Sequence, residues 1–201
     1  MKEKRRLEQD GLRNIIDQEG LRTVKPPSDL RIEGGDIVLL QGRVLVGVGS
    51  DPARARTGAE AVEFLKGIFP EREIIPIAIR ASDDSRDDPK QHVLHLDCAF
   101  QPIGADSAIL FDEGFVGSPG PILDLIADDH LLRVSGEEMF HLWPNLFSVS
   151  PTTVVSAPSF ARLNAEKRAL GVNVVEVPYE EVTKLGGLFR CSTLPLRRSL
   201  I

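Results

Sequence analysis

The stretch Ile37-Val38-Leu39-Leu40-Gln41-Gly42-Arg43-Val44-Leu45-Val46-Gly47-Val48 is where the fold of this chain is read most directly. Two short apolar runs, Ile37 to Leu40 and Val44 to Val48, flank Gln41-Gly42-Arg43, the pattern of a β-hairpin. Downstream, Thr57 and Glu60 have capping-box spacing ahead of Val62, Phe64, Leu65 and Ile68, so a helix is expected there, and Ile74 to Ile79 reads as the next strand. The order is strand, strand, helix, strand. Upstream, the turn signal Lys25-Pro26-Pro27-Ser28 sets this unit apart from a leading helix over residues 1–20. In that helix Leu7, Leu12, Ile15 and Ile16 share a face to bury, and Gly20 supplies the stop.

The same order of elements returns further along. The charged run Ser82 to Pro89 can bury almost nothing and is expected to be a solvated loop. After it, His92 to Asp97 and Ser107 to Phe111 read as strands, Ser118-Pro119 opens a short helix through Ile126, and Leu131 to Val134 is a third strand. A third pass runs through a helical segment Glu137 to Trp143, a strand Thr152 to Ser156, a helix Phe160 to Leu170 ended by Gly171, and a strand Val172 to Val177, with Leu188 to Thr193 closing the chain. The letters do not repeat, but the recurring order indicates an α/β chain of about three stacked modules, roughly 30–80, 90–135 and 137–201, sharing one centre.

Composition narrows the function classes. With 201 residues, 42% apolar content, 14 Pro and 17 Gly, the chain is ordinary for a soluble globular protein. No apolar run approaches the roughly 20 residues of a membrane helix, and Met1 to Arg6 lacks the apolar stretch of a secretory signal, so no membrane association and a cytoplasmic location are expected. Thirty acidic against 24 basic residues give a net charge of -6, which speaks against nucleic acid as a partner and suits a cationic small molecule. Cys98 and Cys191 are the two cysteines; neither belongs to a C-x-x-C pair or a zinc-spaced cluster, so a disulfide framework and a metal site are not expected.

Four segments could carry chemistry. In a strand over His92 to Asp97, His95 and Asp97 would share a face, either as a core histidine satisfied by its neighbour or as a general base beside a cation-binding carboxylate. Cys191 follows the pair Gly186-Gly187, whose backbone freedom permits close approach, and Arg190 or a protonated His95 could raise its thiolate fraction. Glu33-Gly34-Gly35-Asp36 places two carboxylates around glycines just ahead of a strand, either as a solvated turn or as acids brought near other groups. Arg54 and Arg56 are surface residues or a fork for a substrate carboxylate.

Together these segments resemble the pentein superfamily of guanidine-modifying enzymes. Glu33-Gly34-Gly35-Asp36, Arg56-Thr57, His95-Leu96-Asp97, Asn145-Leu146-Phe147-Ser148 and Gly186-Gly187 to Cys191, with Leu196-Arg197, follow one another in the family's order, and the likeness runs from Leu30 onward. The resemblance implies a ring of five ββαβ-like modules around a central site, of which about three are present here, the family's N-terminal modules having no counterpart in this sequence. It implies Cys191 as nucleophile, His95 as proton donor and then base, Glu33 orienting His95, and Asp97 holding guanidinium nitrogens. Arg56 would contact a substrate carboxylate, and Asp36 belongs to the substrate-binding set. No cofactor is implied. Asp97 favours an arginine deiminase or arginine dihydrolase type of hydrolase over dimethylarginine hydrolases, which usually carry lysine there. An amidinotransferase and a truncated, non-catalytic pentein-fold binding protein are the alternatives. With modules missing, the chain alone is expected to show little turnover. Its oligomeric state is not indicated.

Overall fold

The structure is a computed structural model that describes residues 6–82, 87–104, 106–184 and 186–197. Three small sheets follow one another along the chain, each of three strands in sequential order. In the first, β1 (Ile37–Leu40) pairs antiparallel with β2 (Arg43–Gly49), and β2 pairs parallel with β3 (Ile74–Ile79). The hairpin turn has positive φ at both Gln41 (47°) and Gly42 (80°), the handedness that matches the twist of the flanking strands. The parallel partner requires a crossover, supplied by helix α2 (Glu60–Ile68).

The second sheet repeats this with β4 (Phe100–Ile103), β5 (Ser107–Leu110) and β6 (Leu131–Arg133), crossing over through the short helix Gly120–Leu123. The third does so with β7 (Phe147–Ser150), β8 (Thr153–Ser156) and β9 (Asn173–Glu176), crossing over through Ala161–Ala169. Each sheet is therefore a ββαβ unit. One apolar core runs through all three, drawing Leu45 and Ile79 from the first, Phe100, Ile109 and Phe111 from the second, and Leu146 and Val154 from the third. A satellite cluster of Val44, Val46, Val62, Leu65 and Ile74 lies under α2. Another, Ala157, Phe160, Leu188 and Phe189, anchors the segment that leads to Cys191, with Tyr179 stacked on Phe189 at 4.9 Å.

Four local expectations are overturned. Thr57 does not cap α2: its hydroxyl donates to Asp36 Oδ2 at 2.6 Å, and the N-cap position falls to Ala59, which makes no side-chain cap. His92 to Asp97 is not a strand. Val93 makes one isolated bridge to Ala81, and the chain turns into helix α3 (Leu96–Ala99), whose first N–H, that of Leu96, donates to the Asp36 carboxylate at 2.9 Å. A buried carboxylate at that point satisfies a helix-end donor that a strand would have spent on a ladder. The helix expected over Glu137 to Trp143 begins at Gly136, behind a full capping box of Ser135 and Glu138, and ends at Phe140. The leading helix, Arg6–Gln18, leaves Leu12 and Ile15 exposed instead of burying them. Part of the charged run after Ser82, residues 83–86, lies outside the described residues.

Among the polar residues inside the protein, Lys167 is fully buried. Its ammonium donates to Ser156 Oγ at 2.9 Å and to Asn164 Oδ1 at 3.0 Å. Burial, with the charge of Arg168 adding to it, brings its pKa down to about 7.

Candidate active site

A single turn of 3₁₀ helix at Gly34–Asp36 delivers both acids of the Glu33-Gly34-Gly35-Asp36 motif just ahead of β1. Asp36 points inward and is 1% exposed. Its two oxygens are committed, one to Thr57 and the other to the Leu96 N–H, so it brackets the β1 hairpin, the loop before α2 and the start of α3. Burial pushes its pKa up to about 6 against the pull of Thr57, His95 and the Leu96 amide. Two glycines make this bracket possible. A Cβ on Gly47 would sit 2.7 Å from both Asp36 Oδ1 and Leu96 Cβ, and one on Gly35 would sit 2.7 Å from the His95 ring.

Glu33 faces the other way. Its Oε2 accepts from Arg56 Nη1 at 3.1 Å and lies 2.8 Å from His95 Nε2, with Glu33 and His95 side chains both mostly buried. The hydrogen bond with His95 is the main reason that Glu33 is pushed down to about 2, with Arg56 adding to it and burial opposing. Burial alone would favour a neutral imidazole, but Glu33, Asp36 and Asp97 outweigh it, and the His95 pKa is raised. His95 itself is held in extended backbone (φ −143°, ψ 170°) as the N-cap of α3, which places Asp97 in the first turn of that helix.

Asp97 is 7% exposed, and its carboxylate is sparsely partnered. The Cys98 thiol approaches at 3.8 Å and the Arg190 guanidinium at 3.7 Å. Burial raises its pKa, with His95 and Arg190 pulling the other way. Cys98 is also driven well above the ordinary thiol range by desolvation of its thiol and by Asp97.

Arg190 links this group to Cys191. The Arg190 N–H donates to Asn145 Oδ1 at 2.8 Å, and Asn145 Nδ2 donates to the Cys191 sulfur at 2.9 Å. The turn bearing Cys191 is closed by Ser192 N–H to the Leu188 carbonyl at 3.0 Å, and it needs Gly187, at φ 136°, because a Cβ there would meet Cys191 Cβ at 2.9 Å. Cys191 is exposed, whereas Cys98 is half-buried.

The residues singled out in the sequence are thus joined by contact. Arg56 meets Glu33, Glu33 meets His95, Asp97 lies in the first turn that His95 caps, Asp97 meets Arg190, and Arg190 is tied through Asn145 to Cys191. His95 and Cys191 are not hydrogen-bonded to each other among the described contacts: the imidazole Nε2 faces Glu33 and the sulfur faces Asn145. Asn145, which the sequence offered only within a motif of the family's order, is the partner of the sulfur, and Arg190, read from sequence as an activator of Cys191, pairs with Asp97. An asparagine 46 residues from a cysteine carries no spacing signal of its own. No cluster of metal-ligating side chains occurs among the described residues, nor any helix long and apolar enough to cross a membrane.

Comparison with known proteins gives the fold a name. No protein-family model matches the chain. An uncharacterised protein of Bacillus subtilis (strain 168), YkgA, is 30% identical over 170 residues, which is 85% of this chain and 54% of that protein. The ternary complex of AgrE with ornithine and NAD+ superposes with a TM-score of 0.80 at 19% identity, over 100% of this chain and 28% of the other. The N-terminal domain of ArgZ, covalently bound to a reaction intermediate, superposes with a TM-score of 0.78 at 19% identity, over 94% of this chain and 65% of that one. ArgZ is described as an arginine dihydrolase from cyanobacteria. The chain spans only about half the length of its curated relative and less than two thirds of each of these solved structures. AgrE and ArgZ are members of the pentein superfamily, and three successive ββαβ units that superpose on them identify this chain as a protein of the pentein fold.

Proposed function

We propose that this chain carries the catalytic face of a guanidine-modifying hydrolase that acts on an arginine-like substrate through Cys191. The observation that carries the reading is the Asp97 carboxylate: it is buried, sparsely hydrogen-bonded and already faced by a guanidinium, that of Arg190 on the residue next to Cys191. A planar cation is best held by such a carboxylate, and holding it there brings its central carbon toward the neighbouring sulfur. The likeness to ArgZ, described as an arginine dihydrolase and captured with a covalently bound intermediate, agrees with this chemistry.

The Cys191 thiolate attacks the guanidinium carbon and forms a C–S bond. The C–N bond to the leaving amine then breaks as His95, protonated and oriented by Glu33, gives that amine a proton. The resulting amidino-thioether is attacked by water, whose proton passes to His95. The C–S bond then breaks to restore the thiolate, and the product oxygen loses its remaining proton to solvent, which leaves a neutral ureido group. Arg56 completes the Glu33 and His95 unit and is the candidate for a substrate carboxylate, whereas Asp36, with both oxygens engaged, contributes by holding the frame. An amidinotransferase differs only in that an amine replaces water at the second step.

The test is ammonia or citrulline release from arginine, measured on the 201-residue chain and on its Cys191→Ser variant. Turnover is expected to be low, because the chain spans only part of its relatives' length and misplacing reacting groups by about 1 Å can cost on the order of a hundredfold, and it is expected to be lost in Cys191→Ser. Release that survives Cys191→Ser would overturn the proposal. Turnover of an amine acceptor in place of water would move the reading to a transferase.

A further inference from the structure

We infer that Asn145 is a positioning residue for the Cys191 sulfur, donating a hydrogen bond that favours the thiolate and fixes its direction. This deepens the reading of Cys191 as nucleophile and rests on it. Asn145 lies 46 residues before Cys191, is 7% exposed, and its amide spans two partners on the turn that bears Cys191. The amide orientation is decided by the chemistry of those partners. The backbone N–H of Arg190 can only donate, so the atom facing it at 2.8 Å is the carbonyl oxygen, which leaves the NH₂ group aimed at the sulfur at 2.9 Å. An N–H directed at sulfur stabilises the anion more than the thiol, because the charged acceptor makes the stronger hydrogen bond.

The segment around Asn145 is built to hold that amide still. Leu142 has φ 63°, a left-handed conformation that a bulky side chain seldom adopts, and its carbonyl accepts the Asn145 N–H at 2.9 Å. The Trp143 N–H is held by the Glu138 carbonyl at 3.0 Å, and Trp143 itself stacks on Phe160 at 5.3 Å. Leu146, next in sequence, is fully buried in the main core. An unfavoured backbone angle kept in place by surrounding packing is the arrangement expected where a side chain must be aimed. The same amide also fixes the Arg190 backbone, so the turn bearing the nucleophile and the residue that pairs with Asp97 are set by one side chain.

The two halves of the amide can be separated by Asn145→Asp. The variant keeps an oxygen to accept from the Arg190 N–H and replaces the donor facing the sulfur with an anionic oxygen. The added carboxylate also repels the thiolate and is costly to bury, so N145A, which loses the donor without adding charge, is the arm that isolates the donor. The experiment is the pH dependence of Cys191 alkylation by iodoacetamide in the 201-residue chain, followed by peptide mapping so that Cys98 is scored separately. Expected for N145D is a midpoint moved to higher pH and a rate at pH 7 lower by about tenfold or more, the size of a lost hydrogen bond to a charged group. An unchanged profile in a variant that keeps its thermal transition would overturn the proposal. If N145D loses that transition, N145A, which removes both groups without burying a charge, is expected to slow alkylation by about threefold to tenfold, and an unchanged rate there overturns it too. Failure of the nucleophile reading shows itself separately, as arginine turnover that survives Cys191→Ser while the alkylation result stands on its own.

Discussion

His95 Nε2 lies 2.8 Å from Glu33 Oε2, and the two residues are 62 positions apart in sequence. The contact works on both partners: it holds the imidazole in one direction, it raises the histidine pKa, and it pushes Glu33 down to about 2. Through this pair the first ββαβ unit governs the protonation of a residue that belongs to the second.

The pH dependence of stability should report the pair. Glu33, with its folded pKa depressed, stabilises fully above its ordinary value of 4.5 and loses that contribution as pH falls toward about 2. His95, with its folded pKa raised, stabilises fully below its ordinary 6.5 and loses that contribution as pH rises through the raised value. The stability difference between the wild-type chain and Glu33→Gln should therefore be greatest between pH 4.5 and 6.5 and shrink on both sides. Urea unfolding at a series of pH values measures it. A difference that does not vary with pH would mean the two groups are uncoupled.

Asp36 should matter to stability more than any other acid of the site. Asp36→Ala removes the acceptor of two buried donors, the Thr57 hydroxyl and the Leu96 N–H, and is expected to cost about 2–5 kcal/mol. Thermal unfolding decides the matter: a loss well under 1 kcal/mol would show that water replaces the carboxylate at little cost.

Much of this was readable in the sequence, and two of the failures share one cause. The Gln41-Gly42 hairpin, the crossover helix before Ile74 and the recurrence of strand, strand, helix, strand are local patterns, set by turn chemistry and periodicity within a few residues. Thr57 and His92 to Asp97 were misread because their outcome depends on Asp36, a carboxylate about 20 and 60 residues away that takes the Thr57 hydroxyl and caps α3. The segments carrying Glu33, His95, Asp97 and Cys191 could be picked out from residue type and order, yet Asn145 and Arg190 gained their parts only from being folded against Cys191 and Asp97.

Lys167 gives a second pH signature, of opposite sign to that of His95. Its folded pKa is depressed from 10.5 to about 7, so between these values the unfolded chain binds the proton and the folded one does not. Stability should rise with pH across that window and lie flat below it as far as this residue is concerned. Lys167→Met should remove the slope. Persistence of the slope in the variant, followed by chemical denaturation, would assign it to another group.

Gly187→Ala should disturb Cys191 without touching the other site residues. At φ 136° an alanine is strained, and its methyl would sit 2.9 Å from Cys191 Cβ and 3.5 Å from the sulfur. Slower alkylation of Cys191, with Cys98 labelling unchanged, is the expected result on peptide mapping. Equal rates in variant and wild type would show that the turn relaxes freely.

If Asp97 holds a planar cation beside the Cys191 sulfur, as proposed, Cys191 should discriminate between 2-chloroacetamidine and its neutral analogue 2-chloroacetamide. Each rate is to be divided by the rate with free glutathione, which removes intrinsic reactivity. Cys191 is expected to prefer the amidine by about tenfold or more, the size of a charge-assisted contact, Cys98 is expected to show no preference, and Asp97→Asn is expected to abolish that of Cys191. Cys191 labelling that shows no preference for the cationic reagent, or a preference that survives Asp97→Asn, would rule out a cation held by Asp97.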